Sequence, residues 1–147
     1  MRRSATYFFW VLVLALLVGC SSTIDPAYSV FGVEQATADK IPPGDSAAIA
    51  DLDPGSTRLL GEFSGYTFYA AYAPGRPETT PFGPMLCLIA VLEGSPDHAA
   101  SSCSAGVSAE LGMGVPGAEL MLVPDTFNAS ALIEDGWTRV HQNLLAL

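Results

Sequence analysis

From Thr57 onward, apolar and polar positions alternate with a period of two, the pattern of strands with one buried face. The alternation predicts strands over 58–63 and 66–72, joined by Ser64-Gly65, a two-residue hairpin turn signal. In the second strand Tyr66, Phe68, Ala70 and Tyr72 share one face, and Thr67, Tyr69 and Ala71 share the other. Residues 74–84 carry Gly75, Pro77, Pro81, Gly83 and Pro84 and read as a loop. Residues 85–92 are all apolar; so short a run between turn signals predicts a central strand covered on both faces. Gly94 and Pro96 turn the chain over 93–97, and 99–107 return as an antiparallel partner. A weak strand over 108–111, a glycine-rich turn over 112–117 and a good strand over 118–123, stopped by Pro124-Asp125, come next. A helical turn within 128–135, ended by Gly136, and one or two strands over 137–141 and 144–147 complete the pattern. Six to eight short antiparallel strands with little helix predict a mainly β fold, either a small sandwich or a partly closed barrel.

The N-terminal part follows a different rule. Arg2 and Arg3 precede an unbroken apolar run over 7–18, which ends at Leu17, Val18, Gly19 and Cys20. A basic start, an apolar stretch of about 7–15 residues and a small-residue cleavage site define a secretion signal. As a helix this stretch reaches only about 20 Å, short of the ~30 Å hydrocarbon core, so a spanning anchor is the weaker reading. A leucine three positions before a cysteine, with small residues between, resembles the bacterial lipoprotein signal. That resemblance implies cleavage before Cys20 and a diacylglyceryl thioether on its sulfur. The chain then divides into a signal peptide over 1–19, a lipidated tether and acidic lead-in over 20–55, and a β domain over 56–147. Within the lead-in, Tyr28, Val30, Phe31 and Val33 are candidates to dock on the domain, and 46–52 to form one or two helical turns capped by Asp45 or Ser46. An irregular segment lying on the surface is the other reading of the same residues.

Charge narrows the partners. The 147-residue chain holds six basic and fifteen acidic residues, a net −9. The leader carries two of the bases and none of the acids, so the mature part has four against fifteen, a formal −11. Lys40, Arg58, Arg76 and Arg139 are too scattered to displace counterions from phosphates, which excludes nucleic acid as an expected partner. They are equally unsuited to a polybasic grip on lipid heads, so the expected link to the membrane is the covalent lipid on Cys20.

Three cysteines remain to be placed. With Cys20 committed to lipid, Cys87 and Cys103 are an even pair in an oxidising compartment. If the strand over 85–92 pairs with its successor about Ser95, the two face each other directly, at the ~4.5 Å spacing of a non-hydrogen-bonded pair. A disulfide closing about fifteen residues is therefore expected.

Motifs that resemble chemistry fail on their surroundings. Gly112, Gly114 and Gly117 match a dinucleotide fingerprint by letter, but Pro116 intervenes and a strand pattern follows where a helix N-terminus is needed. Asp51, Asp53 and Glu62 have calcium-loop spacing, without the central glycine or flanking helices. His98 and His141 lack companion ligands at zinc spacing, and His141 reads as a half-buried strand residue. Gly44-Asp45-Ser46 and Ser64 lack the strand-to-helix elbow of a nucleophile. Glu62, Glu93 and Glu110 are carboxylates that nothing in the sequence brings together. Trp137, Tyr66, Phe68, Tyr69 and Tyr72 fit core and cross-strand pairing better than a ligand groove. No catalytic residue, cofactor or metal is assigned.

The stretch from Ser56 through Glu62, the aromatic strand after it, Cys87-Leu88-Ile89, Ala100 through Cys103, Leu122 through Asp125 and the closing Gly136-Trp137 resemble, in order, a group of short secreted proteins and lipoproteins of high-GC Gram-positive bacteria. The resemblance covers about residues 30–147. It implies an exported or lipid-anchored β domain and carries no catalytic residue with it. The expectation is a non-enzymatic binding or envelope-assembly module on the outer face of the cell membrane. The alternatives are an extracytoplasmic enzyme built from dispersed carboxylates, or an inhibitor or partner of a secreted enzyme.

Overall fold

A computed structural model describes residues 27–44, 46–74, 85–105 and 110–147. The signal segment, Cys20, Asp45, most of the 74–84 loop and residues 106–109 lie outside the described residues. The fold is mainly β, with two four-stranded antiparallel sheets and no closed barrel. The first sheet runs in the order β1-β2-β3-β4, from Arg58–Phe63, Tyr66–Ala73, Met85–Leu92 and Ser95–Ala105. The second runs β5-β6-β8-β7, from Leu111–Val115, Ala118–Leu122, Leu144–Ala146 and Thr138–His141. Two short helices, α1 (Ala47–Ala50) and α2 (Ser130–Glu134), lie outside the strands.

The sheets pack face to face. Leu60, Phe68, Ala70, Leu86, Leu88 and Ala90 of the first meet Leu111, Leu120, Leu122, Leu144 and Ala146 of the second in one core. This is the period-two prediction realised: even-numbered positions of β2 and β3 point inward. At the open sides of the sandwich, β4 lies beside β5 and β1 beside β7. Ser102 Oγ donates to the Gly112 carbonyl at 3.1 Å across the first of these seams.

The outer faces are covered too, by different means. On the first sheet Tyr69, Ala71, Cys87, Ile89 and Val91 pack under Ile41, Ile49 and Leu52 of the lead-in. On the second, Val123, Ala129 and Leu145 pack with Phe127, Leu132 and Trp137 around α2. β3 therefore has a layer on each side, the arrangement its uninterrupted apolar run predicts.

The lead-in is a structural layer of the sandwich. Tyr28 is fully buried in the inter-sheet core, and Phe31 stacks on Tyr72 with ring centroids 4.3 Å apart. Arg58, the first residue of β1, is buried and holds the segment down through its guanidinium. It donates to the carbonyls of Val30 (3.2 Å), Val33 (2.7 Å), Gly55 (3.2 Å) and Thr57 (2.8 Å). Four carbonyls thus meet one buried cation, the satisfaction a buried charge requires. Ser46 caps α1, its Oγ accepting from Ala48 N–H at 3.2 Å. Gly44 lies against β4 so closely that a Cβ there would sit 2.7 Å from the Pro96 carbonyl oxygen.

Three local expectations are corrected. The turn after β3 is Glu93-Gly94 alone, and β4 begins at Ser95. Pro96, Asp97 and His98 bulge out between Ser95, which pairs with Leu92, and Ala99, which pairs with Val91. An edge strand tolerates Pro96 because it needs ladder partners on one side only. Residues 112–115 belong to β5, so only Pro116 and Gly117 form the turn. Leu111, Met113 and Val115 supply its inward face, while the exposed Gly112 and Gly114 fall on the other face, where a missing side chain removes no core contact. The weak strand expected over 108–111 is replaced at its described end, where Leu111 opens β5. The remaining elements follow the pattern. Ser64 (φ 51°) and Gly65 (φ 77°) both take the left-handed conformation that the hairpin turn demands.

Candidate functional site

Among the described residues, two places collect polar side chains of interest. The first is a cleft of about 550 Å³ between the strip over 35–44 and the strip over 49–57. Its walls are Ile41, Pro42, Pro43, Ile49, Leu52 and Pro54, with Gln35, Lys40 and Thr57 as the side chains that bring polarity. Gln35 is fixed by its own Nε2, which donates to Pro54 O (2.8 Å), Thr57 O (3.2 Å) and Thr57 Oγ1 (2.7 Å). Its Oε1 takes no hydrogen bond from the described residues. Lys40 is the one lysine of the sequence and is exposed. The neighbouring Asp39 is already engaged, Oδ2 accepting from Ala36 N–H at 2.7 Å and Oδ1 from Leu59 N–H at 2.9 Å. The volume and the apolar lining with few polar groups match small-molecule sites in general.

The second place is built around Asn143, between β7 and β8. Asn143 is fully buried; its Nδ2 donates to Val123 O (3.0 Å) and Asp125 Oδ1 (2.7 Å), and its backbone N–H to His141 Nδ1 (3.1 Å). Its Oδ1 is buried and finds no hydrogen-bond partner among the described residues. Asp125 accepts from Ser29 N–H on its other oxygen at 2.9 Å, and its own N–H donates to Ala27 O at 2.8 Å. The cluster resembles a triad only by composition. Asp125 spends its oxygens on Ser29 and Asn143, and His141 Nδ1 is an acceptor, so no relay from carboxylate to imidazole to hydroxyl is formed. What it does is fasten the chain at Ala27 and Ser29 to the end of the second sheet.

Protonation of this cluster follows from its contacts. Burial alone would raise Asp125, but hydrogen bonds from Asn143, Ser29 and Gln142 outweigh it and hold the carboxyl below its ordinary range. Burial lowers His141, and the nearby Asp125 carboxylate only partly offsets this. Tyr69, under the lead-in, is raised by burial first and by Glu62 and Asp39 second, which keeps its phenol neutral.

Acidification is therefore expected to weaken the fold in two stages. As pH falls past about 6.5, the unfolded chain takes up a proton that folded His141 resists, so stability falls until the folded imidazole also protonates. Below about pH 4 the unfolded carboxyl protonates before Asp125 does, and stability falls again until pH passes the lowered folded value. Urea unfolding from neutral to acid pH reads both stages. His141→Gln, which keeps an acceptor and cannot titrate, should flatten the first stage alone.

The other residues singled out in the sequence have structural roles. Cys87 and Cys103 are directly opposed and disulfide-bonded, with Cα atoms 4.1 Å apart. Ser46 Oγ is the α1 cap and donates to Ala99 O at 3.3 Å. Ser64 Oγ reaches Gly117 O at 3.5 Å, joining two hairpin turns. Asp53 Oδ1 accepts from Gly55 N–H at 2.9 Å within its own turn, while Asp51 is exposed and Glu62 lies on β1. Among the described residues no three His, Cys, Asp or Glu side chains group as metal ligands. His98 is exposed in the β4 bulge and His141 is half-buried on β7, strands of different sheets. Phe68 fills the inter-sheet core with Tyr66 and Tyr72 against it, Tyr69 lies under the lead-in, and Trp137 packs with α2. Gln35 and Lys40 had no signature in the sequence beyond the spaced apolar residues Ile41, Ile49 and Leu52, which hint that the lead-in has something to cover.

No protein-family model, no curated protein and no solved structure matches the chain. The class that the fold defines is a disulfide-bonded two-sheet β sandwich with a lateral cleft made by its own N-terminal layer.

Proposed function

We propose that the protein is a lipid-anchored binding module on the outer face of the cell membrane, held by acyl chains on Cys20 and taking a small ligand in the Gln35–Lys40 cleft. The observation that carries the reading is the lining of that cleft. It offers an apolar wall, the amide of a fixed Gln35 and the Lys40 ammonium, and among the described residues no carboxylate or imidazole lines it. Such a surface recognises an apolar body bearing an anionic or hydrogen-bonding group. The lipobox-like sequence and the strand-to-strand disulfide support an oxidising, extracytoplasmic setting.

Two measurements test the two halves. Intact-mass analysis of the N-terminal peptide from cell membranes is expected to show Cys20 as the first residue with a diacylglyceryl addition; an unmodified or uncleaved N-terminus overturns the anchor. Anilinonaphthalene sulfonate, an apolar ring system with one anionic group, is expected to bind the folded protein with enhanced fluorescence. Ile49→Trp, which fills the cleft, should abolish that binding, and Lys40→Gln should weaken it. Binding that neither substitution changes would remove the cleft as the ligand site.

A further inference from the structure

The two ends of the sandwich are unequal. At one end sit the turn between β7 and β8, the stretch after β6 and the place where the lead-in is fastened. There Asp125 N–H donates to Ala27 O (2.8 Å), Ser29 N–H donates to Asp125 Oδ2 (2.9 Å), and Phe31 stacks on Tyr72 at the end of β2. At the other end sit three tight hairpin turns: Ser64-Gly65, Glu93-Gly94 and Pro116-Gly117. They are joined to one another, Glu93 N–H donating to Gly65 O at 3.0 Å and Ser64 Oγ to Gly117 O at 3.5 Å. β2, with eight residues, runs the distance between the ends, about 23 Å over its seven steps at 3.3 Å each.

We infer that the fold carries a membrane-facing end, the one holding Ala27, Asp125 and Thr126, and that its partner is the outer lipid leaflet itself. This rests on the proposal that Cys20 bears the lipid. Only six residues separate Cys20 from Ala27. Seven steps of fully extended chain span at most about 25 Å, whatever their conformation. Ala27 cannot drift from the domain to lengthen this reach, because Tyr28 is fully buried in the core and Arg58 and Asp125 hold the residues around it. Turning the hairpin end to the bilayer would require the tether to run back along the whole domain, about the 23 Å length of β2. That uses nearly the entire reach and leaves only about 2 Å to clear the domain's edge. The fastened end therefore faces lipid, the three hairpin turns face away, and the cleft opens at the side. The mature chain's net −11 gives no electrostatic adhesion to anionic heads, so the orientation comes from the short tether.

The test uses the mature chain with Cys20 coupled through a thioether to a phospholipid headgroup in phosphatidylcholine vesicles that also hold a dansyl-headgroup lipid. The disulfide leaves Cys20 as the one free thiol of the mature chain. Because the lipid is attached chemically, the result does not depend on whether cells lipidate the protein. Trp137 is the sole tryptophan of the mature chain. In a Trp137→Phe background, Thr126→Trp reports the fastened end and Glu93→Trp the hairpin end, both at exposed positions. Energy transfer to dansyl is expected to be several-fold stronger from position 126 than from position 93. Equal transfer, or stronger transfer from position 93, overturns the inference. Inserting ten Gly/Ser residues after Asp25 should level the two signals, since a flexible linker of that length roughly doubles the available contour. A difference that survives the insertion would show a surface that binds lipid by itself, and would overturn the short tether as the cause.

Discussion

A chain that starts at Ser56 is expected to fail to fold and to aggregate, although it contains all eight described strands. Removing the lead-in strips the outer face of the first sheet, where Tyr69, Ala71, Ala73, Cys87, Ile89 and Val91 pack under Ile41, Ile49 and Leu52. Contiguous apolar patches beyond a few hundred Å² are rare on soluble monomers and lead to association. The truncation also withdraws Tyr28 from the inter-sheet core, and losing a buried aromatic ring typically costs about 3–5 kcal/mol. Single-domain proteins have only about 5–15 kcal/mol in total. A milder form of the same result is expected from Arg58→Met, which keeps the side chain's bulk but removes the donors to Val30, Val33, Gly55 and Thr57. Hydrogen bonds to a charged group contribute about 1.5–3 kcal/mol each, and partial rescue by water still leaves a loss of at least about 3 kcal/mol. Gel filtration of the truncated chain and urea unfolding of the full chain bearing Arg58→Met check both. A monomeric, cooperatively melting chain from Ser56 would show that the lead-in is only a tether after all.

The second large effect is expected at the disulfide. Cys103→Ser should lower the melting temperature by on the order of 10 °C. Opening a loop of about fifteen residues costs roughly 3 kcal/mol in the chain-entropy model. A domain of this size shifts by about 4 °C per kcal/mol. The position magnifies the effect. β4 is an edge strand whose ladder to β3 is interrupted by the bulge at Pro96, Asp97 and His98, and the bond holds it on the far side of that interruption. Cys103 is exposed while Cys87 is fully buried, so reductant should reach the bond from the β4 side. Scanning calorimetry with and without reductant, and of Cys87→Ala with Cys103→Ala, should give matching losses. An unchanged melting temperature in the double variant would mean that the ladder alone holds the edge.

The register that opposes Cys87 to Cys103 teaches something about sequence counting. Pairing about Ser95 finds the correct partners from Met85–Ala105 to Val91–Ala99, yet the turn is not at Ser95. It sits at Glu93-Gly94, and three bulged residues make up the difference. The pairing is legible because counting about Ser95 sets Cys87 opposite Cys103, and a slip of one residue would turn every side chain to the other face. The bulge is not legible: no local turn signal marks it, and its Pro96 lies against Gly44 of the distant lead-in.

The candidate site shows the same division more sharply. Nothing local marks Gln35 as a fixed group, since its partners Pro54 and Thr57 come from a strip that approaches only when the lead-in folds over the sheet. Asp125 reads in sequence as a strand stop beside Pro124, and His141 as a half-buried strand residue; their common partner Asn143 has no pattern to announce it.

By itself, the sequence of this protein determined β1, β2, β3 and β6, the two-sided burial of β3 and the pairing of the cysteines. Period-two alternation, apolar runs and turn residues are local consequences of which faces must avoid water. The tertiary structure alone decided that the sheets form an open sandwich, that β5 includes its glycines, and that the lead-in is a layer rather than a tether. Those outcomes depend on what covers each face. Here the covers come from residues 28–52 and from α2, through a buried tyrosine, a buried arginine and a few backbone hydrogen bonds between segments far apart in the chain.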